Sequence, residues 1–173
     1  MNDFQYLTPC ARNTNRTCPD VNQATPAQNG LTMKCGSFGS VTIPAGTEAG
    51  ATFPLANLNV NGDGYRKPCV RMEFQSNILN TAATVTLNFQ VFKQCKYQFA
   101  PVPVGPIWTY SRAPSAEEEA NAFAFAVCDC DHCDCGCCNY SVVATVAGTA
   151  ATAGTTTLNN SMLMATIVET SDC

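Results

Sequence analysis

The sequence predicts an all-β protein, a jelly-roll-like β-sandwich of about eight to ten short antiparallel strands with an extended N-terminal arm. Short runs of alternating apolar and polar residues recur along the chain, and turns containing glycine or proline separate them. No segment has the apolar period of the long helices that a parallel sheet requires. Threonine, valine and phenylalanine, which favour strands, are frequent.

The first 30 residues differ from the rest of the chain. Asparagine, threonine, glutamine, proline and arginine dominate them, so they have too little apolar content to form a core. We therefore divide the chain into an N-terminal arm, residues 1–30, and a β-sandwich domain, residues 31–173. The arm has an apolar tip, Phe4, Tyr6 and Leu7. The tip is either incidental to a tail or part of a strand that adds to the sheet edge of a neighbour.

The first strands of the domain follow in order. Leu31 to Ser37 leads into a turn-rich run, and Thr52 to Val60 resumes the apolar alternation. Asn61-Gly62-Asp63-Gly64 predicts a tight turn, because these residues tolerate positive φ. The clearest strands are Cys69 to Ser76 and Thr84 to Lys93, whose period of two places one face on a core.

The second half of the domain is expected to contain an edge, a buried strand and a loop. Three prolines within Pro101 to Pro106 remove donors of a hydrogen-bond ladder, which predicts an edge or a corner. Ser115 to Ala120 predicts one helical turn at most. Asn121 to Val127 is apolar on both faces and is expected to be buried. The remaining predicted elements are Tyr140 to Gly148, Thr155 to Leu158, a turn at Asn159-Asn160, and Met162 to Val168.

A cysteine-rich loop joins two of these strands. Six of the twelve cysteines and the only histidine, His132, lie between Cys128 and Cys138. Thiolates at such short spacings suit either a soft metal such as Zn or Cu(I) or disulfide bonds. The other six cysteines favour disulfides, since they are scattered singly as cross-links would be: Cys10, Cys18, Cys35, Cys69, Cys95 and Cys173.

Composition excludes several partners and limits the compartment. Charged residues make up 13%, the net charge is −4, and lysine and arginine do not cluster, so neither nucleic acid nor an anionic membrane is an expected partner. No apolar run reaches the roughly 20 residues of a membrane helix, and the N-terminus lacks the pattern of a signal peptide. Oxidised cysteines then require release without a signal peptide, for example by cell lysis; reduced cysteines would instead bind metal.

An enzyme is not expected, and we predict no catalytic residue and no cofactor. His132 lies among thiols and aspartates with no serine elbow nearby, and Glu117 to Glu119 have the pattern of a solvated charge run. A nucleophilic pair of His132 with Cys130 or Cys133 is the weakest interpretation. The alternative function is a metal-binding protein in which His132, Cys130, Cys133 and Cys135 act as ligands.

Several segments carry a resemblance to a known domain family. They are Met33-Lys34-Cys35-Gly36, Thr42-Ile43-Pro44, Pro68 to Asn77, Leu87 to Cys95, Pro101 to Trp108, and Val127-Cys128-Asp129-Cys130 followed by Cys137-Cys138. Over roughly residues 31–170 the chain resembles a domain family of unknown function from anaerobic spore-forming bacteria. In its layout of arm, β domain and cysteines it is similar to the subunits of endospore appendages, which are pilus-like fibres.

The second resemblance implies a structural subunit of an extracellular or spore-surface filament, without a classical signal peptide. Its partners would be copies of itself in a helical homopolymer, with anchoring or tip proteins undefined. An arm that binds a neighbour's sheet edge gives such an open polymer, and disulfides between subunits make its dissociation depend on reduction.

This interpretation assigns the cysteines to two groups. Some of Cys35, Cys69 and Cys95 are expected to pair inside the domain. The candidates for bonds between subunits are Cys10, Cys18, Cys128, Cys130, Cys133, Cys135, Cys137, Cys138 and Cys173. The pairing itself cannot be read from the sequence.

Overall fold

The computed structural model describes residues 31–62, 65, 67–96, 98–130, 137–148 and 151–169. These residues form eight strands, all paired antiparallel, and contain no helix, so none of them belongs to a helix that could span a membrane. The strands are β1 (Leu31–Cys35), β2 (Gly39–Ile43), β3 (Thr52–Asn61), β4 (Pro68–Cys95), β5 (Val102–Arg112), β6 (Glu119–Asp129), β7 (Cys137–Val146) and β8 (Ala153–Glu169).

Strand β4, which is 28 residues long, belongs to two sheets that we call A and B. In sheet A its first part pairs with β6 on one side and with β8 on the other, and β8 continues to β1 and β2. In sheet B its last part pairs with β5 and β7, and β7 continues to β3. The expected all-β, jelly-roll-like sandwich is confirmed, although β4 and β8 are much longer than the short strands expected.

A bend in the middle of β4 lets one strand serve both sheets. Its register with β8 shifts between Thr81 and Thr84, and Ala82 has a φ of 48°. Opposite the bend, Gly154 has a φ of 64°, and a Cβ there would lie 2.2 Å from the carbonyl oxygen of Ala82. The close approach therefore requires glycine. The sequence predicts two strands, Cys69 to Ser76 and Thr84 to Lys93, but the structure joins them through this bend.

Aromatic rings from both sheets fill the space between them. Phe74 of sheet A lies 6.0 Å, centroid to centroid, from Phe89 of sheet B. Phe123 of sheet A lies 4.5 Å from Phe89, and Phe125 stacks at 5.3 Å on Trp108. Tilted and stacked pairs at such distances contribute about 0.5–1.5 kcal/mol each beyond their area burial. These contacts hold the two sheets face to face.

Three smaller elements differ from the sequence interpretation or refine it. The expected turn at Asn159-Asn160 is an irregularity inside β8, where Asn160 has a φ of 53°. Ser115 to Ala120, for which the sequence allowed one helical turn at most, contains no helical turn. The proline-containing segment forms part of β5, which pairs only with β4 among the described residues and so lies at an edge.

Candidate covalent assembly site

One end of the sandwich, which we call the cysteine end, gathers the two termini of β4 and the cysteine-bearing ends of β6 and β7. Val70 pairs with Asp129 of β6 at the start of β4, and Cys95 pairs with Cys138 of β7 at its end. The first residue of β1, Leu31, pairs with Val168 near the end of β8. The N-terminal arm therefore joins the domain at this same end.

Two disulfides fasten the termini of β4 to their neighbouring strands. Cys69 is bonded to Cys130 in sheet A and Cys95 is bonded to Cys138 in sheet B, each with a Cα–Cα distance of 4.0 Å. Cys95 and Cys138 are opposite each other in the antiparallel register of sheet B, and Cys69 and Cys130 lie one residue beyond the Val70–Asp129 pair of sheet A, so the Cα atoms of each pair are close. Each bond is expected to stabilise the fold by about 2–4 kcal/mol.

The structure redistributes the cysteines that the sequence divides into two groups. Cys130 and Cys138, assigned to bonds between subunits, are bonded within the chain because strand register sets them opposite Cys69 and Cys95. Cys137 is also disulfide-bonded. Cys35, assigned to a bond within the domain, is a free exposed thiol.

Cys128 is the other free thiol among the described residues, and it too is exposed. The remaining predicted residues lie outside the described part of the chain: the arm residues Phe4, Tyr6, Leu7, Cys10 and Cys18, the loop residues His132, Cys133 and Cys135, and Cys173. No group of three metal-ligating side chains occurs among the residues that are described. Cys130, which the metal alternative requires as a thiolate, is held in the bond to Cys69.

Cys128 lies near the end of an open sheet edge. Strand β6 is paired with β4 over eleven residues without a register shift, and within the described chain it has no second partner strand. It contains no proline and no bulge, and its outward face carries four exposed alanines, Ala120, Ala122, Ala124 and Ala126. A long, regular edge of this kind, whose exposed face consists mostly of alanines, is a template for pairing with another strand.

The other edge strands of the described chain are protected or short. β5 contains Pro103 and Pro106, and its register with β4 shifts between Phe89 and Val91. β3 contains Pro54 and a register shift after it, and β2 has a shift of its own. β1 is only five residues long. Proline and bulges block edge pairing, so β6 is the best acceptor edge in this part of the molecule.

A buried polar cluster lies beneath the disulfides. The Lys93 ammonium is 2.7 Å from Oδ2 of Asp129, and the Tyr140 hydroxyl donates a hydrogen bond of 2.7 Å to the same oxygen. Lys93 and Tyr140 are cross-strand partners in sheet B, whereas Asp129 belongs to sheet A. The cluster therefore joins the two sheets across the core.

Sequence reasoning missed this cluster, although the alternation contains a signal for it. Lys93 continues the inward positions of Phe89 and Val91, and Asp129 continues those of Phe125 and Val127. A charged residue at an inward position on each of two strands is unusual, because buried charges require partners. The two signals together predict an ion pair across the core.

Comparisons with known proteins identify a family but no function. A family described as "Domain of unknown function (DUF4489)" matches residues 29–168. No curated protein matches the sequence.

Several solved structures resemble the chain at low sequence identity. The VP2 subviral particle of infectious bursal disease virus has a TM-score of 0.46 and 8% identity, covering 89% of this chain and 43% of that one. The structure of the Gt strain of the same virus has a TM-score of 0.48 and 7% identity, and the match covers 89% of this chain and 41% of that one. A structure of carbohydrate-binding modules from the β-sandwich superfamily has a TM-score of 0.32 and 10% identity, and the match covers 79% of this chain and 57% of that one. The chain spans about two fifths of the viral chains it matches.

Proposed function

The chain belongs to the DUF4489 family of unknown function, and we propose that it is a structural, non-enzymatic subunit of an extracellular or spore-surface pilus-like filament. Subunits assemble head to tail when the N-terminal arm of one copy adds a strand to a sheet of the next, and disulfides between subunits then lock the contact. The observation that carries the proposal is the open β6 edge with the free, exposed Cys128 near its end.

The position of the arm supports a contact that repeats. The arm joins β1, and β1 and β6 lie at opposite edges of sheet A, separated by β8 and β4. The donor and the acceptor are therefore different surfaces of one subunit, and such a heterologous contact extends into an open filament unless its rotation closes a ring. A fully extended chain of 30 residues spans roughly 100 Å, which is ample to reach a neighbouring subunit.

The disulfides within the domain prepare the acceptor. Cys69–Cys130 fastens β6 to β4 one residue beyond the end of β6, so the edge is fixed before a partner arrives. A fixed edge lowers the ordering cost of strand addition. A bond from Cys128 to an arm cysteine, Cys10 or Cys18, then makes release depend on reduction. Such bonds persist in an oxidising setting, which supports a location outside the cell.

The test is gel electrophoresis of native protein trapped with an alkylating agent and boiled with or without reductant. We expect a ladder that collapses on reduction to one band at 18.4 kDa. Cys128→Ser should remove the ladder. Cys35→Ser, which removes the other free exposed thiol of the described chain, is the matched control and should leave the ladder intact.

Two outcomes would count against the proposal. A monomer in both lanes with many alkylated thiols would exclude covalent polymerisation. A ladder that persists in Cys128→Ser and disappears in Cys35→Ser would mean that the polymer is covalent but that its bond forms at Cys35 of β1. Electron microscopy of the same samples shows whether the covalent species are filaments.

A further inference from the structure

The Lys93–Asp129 pair has the arrangement of an amide-forming site. Its side chains are 8% and 6% exposed, respectively, and the distance from Nζ to Oδ2 is 2.7 Å. Lys93 is the only buried lysine of the described chain. The surrounding side chains on its own strand and on β7, among them Val91, Cys95 and Cys138, are buried and apolar. An amine and a carboxyl group are thus held in contact with little water around them.

We propose that Lys93 and Asp129 condense into an isopeptide bond, an amide between Nζ and Cγ that joins sheet B to sheet A. The bond is independent of the filament assembly proposed above, because it lies inside one subunit. It also differs from the disulfides in what it links: Cys69–Cys130 and Cys95–Cys138 each join strands within one sheet, whereas this amide crosses the core.

The reaction balances without any other reagent. One proton moves from the ammonium to the carboxylate and comes to lie on Oδ1, which leaves a neutral amine beside a carboxylic acid. The amine lone pair attacks Cγ, and the Tyr140 hydroxyl, which already donates to Oδ2, stabilises the negative charge that develops on this oxygen. The nitrogen gives up a proton to the departing hydroxyl, the Cγ–Oδ1 bond breaks, and water leaves. Ammonium plus carboxylate therefore becomes amide plus one water.

Two features of the site favour this reaction. Reacting groups held in contact reach effective molarities of about 10⁵–10⁸ M, which offsets the unfavourable condensation of free groups in water. Burial of an ion pair carries a large desolvation cost, and the neutral amide removes both charges from the core. The adjacent disulfides restrict the reactants, since Cys130 follows Asp129 directly and Cys95 lies two residues after Lys93.

The other ion pairs of the described chain lack this combination. Arg71 and Glu73 are 61% and 43% exposed and are open to water. Arg112 pairs with Glu119, whose side chain is 47% exposed, and a guanidinium stays protonated and is a poor nucleophile. The structure therefore assigns the reaction to Lys93 and Asp129 among these pairs.

Intact-mass spectrometry of fully reduced, denatured and alkylated protein tests the proposal. We expect the wild-type mass to be lower by one water molecule than the mass calculated for the sequence with all twelve cysteines alkylated. A tryptic digest should show no cleavage after Lys93 and should contain one branched peptide that includes Lys93 and Asp129. Lys93→Arg keeps the positive charge but cannot form the amide, so it should have the full mass. Because the protein is denatured before measurement, poor folding of a variant does not obscure the wild-type result.

The peptide map also separates the crosslink from other losses of water. Aspartate cyclisation at Asp63-Gly64 would lower the mass equally, but it would leave Lys93 open to trypsin. Tyr140→Phe keeps the ring and removes the hydroxyl, so we expect a smaller crosslinked fraction after the same incubation. Arg71→Lys creates an exposed lysine beside Glu73 and should add no crosslink. A wild-type chain of full mass that trypsin cleaves after Lys93 would overturn the proposal.

Discussion

The two ends of the sandwich are stabilised in different ways. The cysteine end holds the termini of β4 with two disulfides and the buried Lys93–Asp129 pair. The opposite end, which we call the corner end and where β4 bends at Ala82, contains neither a disulfide nor a buried ion pair among its described residues. There a chain of hydrogen bonds and the partly exposed Arg112–Glu119 pair connect the strands instead. The difference shows that covalent bonds are concentrated where the arm joins the domain and where Cys128 is exposed.

The hydrogen bonds of the corner end converge on one tyrosine. Asn80 and Asn121 both donate through Nδ2 to the hydroxyl oxygen of Tyr110, at 2.7 and 3.1 Å. Thr156 in turn donates to Oδ1 of Asn80 at 2.9 Å. The network connects β4, β5, β6 and β8 but does not depend on oxidation. A subunit moved into a reducing environment should therefore weaken at one end only.

The largest effect is expected from Asp129→Ala at the cysteine end. It removes the carboxyl group that Lys93 contacts across the core, and breaking a buried pair of this kind costs about 3–5 kcal/mol in the free energy of unfolding. The control is Glu73→Ala, which breaks an exposed pair and should cost about 1 kcal/mol or less. Urea unfolding monitored by tryptophan fluorescence measures both. Similar losses in the two variants would mean that the buried pair contributes no more than a surface pair.

The second largest effect is expected from removing a disulfide at the cysteine end, because only this end depends on oxidation for its stability. The double variant Cys95→Ala and Cys138→Ala removes one disulfide without burying a new polar group, and it should lower the free energy of unfolding by about 2–4 kcal/mol in non-reducing buffer. With reductant present during unfolding, wild type and variant should have nearly the same stability. A difference that persists under reductant would assign the loss to packing around these buried side chains instead of to the bond.

The smallest effect is expected at the corner end from Tyr110→Phe. The substitution removes the acceptor of Asn80 and Asn121, and lost hydrogen bonds of this kind cost about 1–3 kcal/mol when buried. Tyr110 is only half-buried, so we expect a loss near 1 kcal/mol that reductant does not change. Ser111→Ala, next in sequence and with an exposed hydrogen bond to Thr86, should be nearly neutral. A Tyr110→Phe loss that disappears under reductant would contradict the independence of the two ends.

Sequence reasoning found the strands but not how they continue. The alternation in Cys69 to Ser76 and in Thr84 to Lys93 reflects the pleat of a strand with one buried face, which is a local property. The sequence does not predict that these two segments form one strand, because the bend between them depends on Ala82 at positive φ. Alanine rarely adopts this conformation, so its presence does not indicate a bend. Asn121 to Val127 reads as buried on both faces, yet its alanines are exposed, since alanine is common on either side of a sheet.

The cysteines show the same division. Their clustering between two strands is visible in the sequence, and so is the charge at the inward positions of Lys93 and Asp129. Their partners are not visible, because Cys69 and Cys130 are 61 residues apart and Cys95 and Cys138 are 43 apart. Only the register of strands distant in the chain decides which thiols lie opposite each other.

The fold class and most of the strands follow from the sequence, because the period of apolar side chains reflects backbone geometry. The tertiary structure alone decided that β4 serves both sheets, that Cys130 and Cys138 bond within the chain, and that Cys128 remains free near an open edge. It also decided that Lys93 meets Asp129. Each of these depends on contacts between segments far apart in sequence, whose pairing is selected by the burial of the whole core and not by local preference.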